Sequence, residues 1–224
     1  RFGSDGSLIF SSYLGGEGEE WAFDIETAGG NAYVSGKTRS SDFPTVNPFQ
    51  ASNAGQFDFF YCAVDSAGGL TYSSYLGGSD SEYYGSIALA SGGAVYVGGY
   101  TYSTDYPTSN PYQSSKNGSY DLVLTRFSSL TAAAPDFSTY LGGTGYNYGT
   151  FGDGLDAFGE DALLLGKTNS LDFPTVNPYQ PAYAGANDAV VARFDSAGEL
   201  LMSTYLGGSD GESPSGISGG YADF

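Results

Sequence analysis

The chain has 224 residues, 40% hydrophobic and 16% aromatic, enough to bury a substantial core. Its 25 acidic against 7 basic residues give a formal net charge of −18, which excludes nucleic acid and anionic membrane surfaces, since phosphate binding draws on clustered Lys and Arg. With no His and a single cysteine, Cys62, Ser–His–Asp and Cys–His catalysis, an intrachain disulfide and a thiolate-built metal site are excluded as well.

The 35 Gly and 9 Pro follow no collagen-type triplet, so they read as turns. No apolar stretch approaches the length of a membrane span. With no initiator Met and no signal-like start, residue 1 reads as a processed end or a fragment boundary.

Tyr-Leu-Gly-Gly begins at Tyr13, Tyr75, Tyr140 and Tyr205, at spacings of 62, 65 and 65 residues. Between these stands a second motif, beginning at Lys37, Tyr100 and Lys167 and containing Asp-Phe/Tyr-Pro-Thr. Its first and third copies agree at 11 of 14 positions. A repeat this long marks one supersecondary unit per period.

In chain order, residues 1–14 match the segment before Tyr205, so they read as the terminal D strand of an incomplete unit. Residues 15–77 form the first full unit. Strand A is expected over residues 21–27, a Gly29-Gly30-Asn31 turn follows, and strand B covers 32–38. After the Asp-Phe-Pro-Thr loop come strand C over 57–65, an Asp-Ser-Ala-Gly-Gly turn and strand D over 70–76. Cys62 sits inside strand C and reads as a small buried hydrophobe. The strands are rich in Val, Tyr, Phe and Thr, and the turns in Gly and Asp, as a pleated surface and tight hairpins require. Residues 78–142 and 143–207 repeat the plan, and 208–224 start a further incomplete unit. The stretch from Phe151 to Asp161 departs from the pattern of the other A–B regions.

Four antiparallel strands at fixed spacing define a propeller blade. The fold expected is therefore all-β, a β-propeller-type array of four-stranded blades, three of them full, with flanking half-blade strands. The unit is longer than a WD-type blade, mainly because the B–C connection carries about twenty extra residues. Pro forces the preceding aromatic into extended geometry, so Phe43, Tyr106 and Phe173 are expected to wedge between blades. Lys37 and Lys167, and likewise Arg126 and Arg193, occupy equivalent positions and are expected to pair with nearby Asp.

These motifs resemble the bacterial β-propeller repeats known as SBBP repeats. The resemblance rests on Ser203-Thr-Tyr-Leu-Gly-Gly208, Ser170-Leu-Asp-Phe-Pro-Thr175 and Asn187-Asp-Ala-Val-Val191, and it covers nearly the whole chain. It implies a secreted or cell-surface bacterial protein without assigned chemistry.

Carboxylates are the chemistry that remains. In a propeller the D–A and B–C loops share one face. That face would carry Glu17, Glu19, Glu20, Asp80, Glu82, Asp210 and Glu212, together with Asp42, Asp105 and Asp172 and the phenols of Tyr83, Tyr84, Tyr146 and Tyr148. It reads as a solvated structural rim, a calcium site or a glycan-binding surface. Asp80, Glu82, Asp153, Asp156, Glu160 and Asp161 are the calcium candidates, and no other cofactor is implied. Asn117 heads the one N-glycosylation sequon. No carboxylate pair stands out as catalytic, and no enzyme is expected.

Two functional readings follow. One is a non-enzymatic extracellular scaffold or adhesive, assembling with copies of itself or with the rest of a larger chain through terminal strands carrying Leu8, Phe10, Tyr13, Ile217 and Tyr221. In that form, deleting residues 1–14 should abolish assembly. The other is a ligand-binding module for calcium or glycans.

Overall fold

The computed structural model describes residues 1–150 and 153–219 and contains, among them, strands and turns but no helix. Three antiparallel sheets follow one another along the chain. The first is β1 (Glu20–Ala28), β2 (Asn31–Thr38), β3 (Asp58–Val64) and β4 (Leu70–Leu76), each paired with the next. The second is β5 (Glu82–Leu89), β6 (Val95–Thr101), β7 (Asp121–Phe127) and β8 (Phe137–Leu141). In the third the inner strand is split. Short β9 (Asn147–Gly149) and β10 (Leu155–Phe158) pair with the two ends of β11 (Asp161–Thr168), which continues into β12 (Asp188–Phe194) and β13 (Leu200–Leu206). The split falls on the stretch whose sequence departs from the repeat.

The hairpin turns explain the glycines. Gly29 and Gly30 have φ of 58° and 83°, the pair of positive angles a two-residue turn needs between right-twisted strands. In the β3–β4 turn, Asp65 Oδ1 accepts the amides of Ala67 and Gly69, both at 2.8 Å, and Asp195 repeats this in the third sheet.

The long B–C connections are not free loops. Each runs back along the outer strand of its own sheet. Val46 and Ser73 exchange backbone hydrogen bonds of 3.1 and 3.0 Å, and the Tyr75 amide donates to Gln50 O. Ser109 with Ser138, Gln113 with Tyr140, Val176 with Ser203 and Gln180 with Tyr205 repeat the arrangement. Unpaired outer edges invite aggregation, and these segments cover them. Asn47, Asn110 and Asn177, each before a proline, make the corner with φ of 43–48°. Left-handed geometry is tolerated by Asn better than by most side chains.

The core lies between sheets. Phe59, Tyr61 and Leu76 pack with Ile87, Val97 and Tyr106 between the first and second. Leu122, Leu124 and Leu141 pack with Leu155, Leu164 and Phe173 between the second and third. Tyr106 is the wedge expected from the sequence, its ring centroid 6.3 Å from that of Phe59. Cys62 is fully buried, and desolvation pushes its thiol up to about 12. The innermost strand of the second sheet, β5, lies against both β1 and β10. The ends of all three border a cavity of about 630 Å³.

The two termini depart from the strands expected there. Phe2 and Leu8 close a turn with the same backbone bonds as the β3–β4 turn: Gly3 N to Ser7 O, and Gly6 N to Gly3 O. Phe10 lies against Gly68 as Phe137 lies against Gly198, so it holds the repeat position of a D strand in a preceding sheet. Residues 9–14 nevertheless form no strand, because a D strand needs a C strand beside it and no described strand stands there. Tyr13 is fully exposed. At the other end, the Glu212 amide donates to Asn187 O as in the earlier junctions, but residues 213–219 form no ladder. Ile217 instead donates its amide to Asp153 O at 2.8 Å. Tyr221 lies outside the described residues.

The tyrosine of Tyr-Leu-Gly-Gly pins the edge-covering segment. Tyr140 Oη accepts the Tyr106 amide at 2.9 Å and donates to Ser103 O at 3.1 Å, and Tyr75 and Tyr205 do the same in their units. Tyr140→Phe leaves a buried amide unpaired and should cost about 1–3 kcal/mol. The expected readout is a calorimetric melting temperature lower by roughly 2–4 °C for each kcal/mol. An unchanged transition would show that the phenol does not hold the segment.

Candidate functional site: the acidic loop face

The aspartates of Asp-Phe/Tyr-Pro-Thr are clamps. Asp42 Oδ1 accepts the Glu17 amide at 2.9 Å, Asp105 accepts the Ser79 amide at 2.8 Å, and Asp172 accepts the Thr144 amide at 2.8 Å. The amide and hydroxyl bonds from Ser79 hold the Asp105 carboxyl below its usual range.

Three of the glutamates expected on that face turn inward instead. Glu82 is completely buried. Its Oε1 accepts the hydroxyls of Thr101 and Ser103, and its Oε2 accepts the Gly78 amide at 3.2 Å. Glu20 takes the same partners in its unit, Thr38, Ser40 and the Gly16 amide. Glu212 accepts the Gly208 amide at 3.1 Å. In the third unit Asn147 stands at this position, its Oδ1 accepting from Thr168, Ser170 and the Gly143 amide. The cause is local: a glycine amide and two hydroxyls converge where the side chain enters and supply the buried carboxyl group with donors.

The six calcium candidates fall in three places. Asp80, near Glu82, accepts from Gln56 Nε2 at 3.2 Å. Asp153 and Asp156 line a second, smaller cavity of about 270 Å³ together with Asp24 and Glu26. Asp156 accepts the Gly219 amide at 2.6 Å, and Asp24 accepts the Ile87 amide at 2.9 Å. Burial raises the Asp24 carboxyl, with the charges of Asp153 and Asp156 adding to it, and the amide bonds from Ile87 and Ile25 oppose the shift. Glu160 is held by Ser91, Gly92 and Arg126, and Asp161 by Arg193 at 2.8 and 2.6 Å. Among the described residues, no three His, Cys, Asp or Glu side chains converge as a ligand set.

Arg126 pairs with Asp136 and Glu160, and Arg193 with Asp161, as the sequence suggests. The lysines do otherwise. Lys37 Nζ lies 4.1 Å from the ring centroid of Tyr83, 4.3 Å from Phe57 and 5.2 Å from Trp21, and Lys167 lies over Tyr148. Among the described residues, neither lysine forms an ion pair, and cation–π contact takes its place. Desolvation lowers the Lys37 ammonium from its ordinary value, and the nearby Glu19 charge opposes the shift.

Tyr83, Tyr84, Tyr146 and Tyr148 do not form separate contact points. With Tyr100, Tyr102 and Tyr120 they make one aromatic cluster, closest at 4.6 Å between Tyr120 and Tyr148. Asn117 is exposed, but its Nδ2 donates to Gly142 O at 3.3 Å and its amide to Asp121 at 2.8 Å.

Sequence reasoning passed over Asp58, Asp121 and Asp188, the fully buried first residues of β3, β7 and β12. Each Oδ2 accepts from a glutamine eight positions earlier, Gln50, Gln113 or Gln180, and from a backbone amide. That recurrent Gln-to-Asp spacing was the available signal.

A scan against protein-family models and a search of curated proteins find no match to this chain. On the geometry, amides, hydroxyls and arginines already engage most of the candidate carboxylates. Millimolar calcium is therefore expected to leave the melting temperature where EDTA leaves it. A rise on calcium addition that is lost in Asp153→Asn/Asp156→Asn would assign a cation site at the cavity.

Proposed function

We propose that this chain is a non-enzymatic structural scaffold of the bacterial surface or extracellular space, its sheets acting as blades of a propeller-type array extended by further copies of the chain. The observation that carries this reading is a mismatch between equivalent positions. Ile25 of β1 is 62% exposed, whereas its counterparts Ile87 and Leu155 are 0% and 3% exposed. Leu206 of β13 is 39% exposed, whereas Leu76 and Leu141 are at 0%. The outer faces of the first and third sheets thus carry the side chains that seal the internal junctions. Burying each is worth roughly 1.5–3 kcal/mol. A neighbour of the same repeat fits both faces, because each internal junction is already such a pairing.

The blade assignment draws support from the inner strands β1, β5 and β10 bordering one cavity. The motifs that resemble SBBP repeats and the acidic composition support the extracellular setting. The non-enzymatic reading rests on the lack of His and on carboxylates held by structural donors.

Light scattering across a concentration series tests the reading. Masses at defined multiples of 23.3 kDa, or an open distribution, are expected, and Ile25→Asp should reduce them to the single-chain mass without lowering stability appreciably. A single 23.3 kDa species at every concentration would sink self-assembly. Residues 1–14 hold the D-strand place of a preceding blade, and loss of assembly on their deletion would assign them to the seam.

A further inference from the structure

Where one sheet meets the next, the acidic head of the inner strand points at the buried aspartate of the preceding sheet. A Cβ built on Gly77 would collide with Glu82 Oε2 and stand 2.7 Å from Asp58 Oδ1. On Gly207 it would stand 2.5 Å from Glu212 Oε2 and 2.6 Å from Asp188 Oδ1. Two carboxyl tips therefore crowd one small space at the first and the third of these junctions.

At the middle junction the same space holds Asp121 Oδ1 and Asn147 Nδ2, and there the amide donates to the carboxylate at 2.9 Å. The other two junctions lack that donor. Asp58 Oδ1, Asp188 Oδ1 and Glu212 Oε2 are buried and receive no hydrogen bond. Two ionised carboxylates cannot occupy such a space together, since like charges in a poorly solvated site raise each other's proton affinity. A single hydrogen placed between the oxygens supplies the bond that Asn147 makes in the middle.

We propose that Glu82 with Asp58 is a proton-binding site, the pair sharing one proton across the seam between repeats, with Asn147 its permanent substitute at the next seam. The groups in electrostatic reach do not replace that proton. They are Asp105 and the phenols of Tyr75, Tyr106 and Tyr140 at the first pair. None of these is a cation.

Burial pushes Glu82 up to about 8 and Asp58 up to about 6, the hydroxyl and amide bonds opposing the shift. Both folded values lie above the unfolded ones of 4.5 and 3.8. The stabilisation is then complete below about pH 4 and is lost as the pH rises through about 6 to 8. The pair titrates as a unit.

Thermal melts of the wild-type chain, Glu82→Gln and Asn147→Glu between pH 5 and 9 provide the test. Glu82→Gln should match wild type at pH 5 and melt on the order of 5 °C higher at pH 9, because its amide cannot lose the bridging hydrogen. Asn147→Glu, which places a second such pair opposite Asp121, should steepen the decline with pH. An infrared band of a protonated carboxyl group should persist in wild type at neutral pH and weaken in Glu82→Gln. Parallel pH curves for wild type and Glu82→Gln, or no protonated carboxyl band at neutral pH, would overturn the proposal. The self-assembly reading can fail independently, since Glu82 and Asp58 meet within one chain.

Discussion

The head of each inner strand is held by one side chain that gathers donors from three directions. Glu20, Glu82 and Asn147 each take a glycine amide from the turn before them, a threonine hydroxyl from the neighbouring strand and a serine hydroxyl from the loop after it. This fixes where the chain leaves one sheet and enters the next. The turn must be Gly-Gly because larger residues would collide with the carboxyl group and with the loop serine. The loop must then carry Ser-x-Asp, since the aspartate clamps the amide that follows the glycines. Motifs separated by some 25 residues in sequence are thus one hydrogen-bonded assembly.

The second set of constraints works at the outer rim. There the tyrosine of Tyr-Leu-Gly-Gly, the proline-linked aromatic and the edge-covering segment lock together, and the buried aspartate with its glutamine closes the base of that segment. Polar groups this deep are tolerable because most of them are paired. Among the described residues, half of the exceptions, Asp58 Oδ1, Asp188 Oδ1 and Glu212 Oε2, lie where two carboxyl groups meet at a seam.

Strand positions were legible in the sequence almost to the residue. Residues 21–27, 32–38 and 70–76 were expected as strands, and β1, β2 and β4 run Glu20–Ala28, Asn31–Thr38 and Leu70–Leu76. Enrichment in Val, Tyr, Phe and Thr and glycine-bearing turns are local signals. The fate of charged side chains was not legible in this way. Glu82 looked like an exposed loop acid, and its burial depends on Thr101 and Ser103, which lie about twenty positions downstream. Lys37 looked like an ion-pair partner, yet Phe57 and Tyr83 reach it first from other elements. Residues 9–14 form no strand for a similar reason: a strand is a property of two segments, and the sequence displays one at a time.

Because each unit folds its own B–C segment over its own outer strand, the rim needs no help from neighbours. A unit can be duplicated or lost without baring a new edge there. Changes in the number of repeats then alter only the length of the stack and the two faces that terminate it. A gene encoding such units could lengthen or shorten by whole periods, and each product would meet the same folding problem as its ancestor.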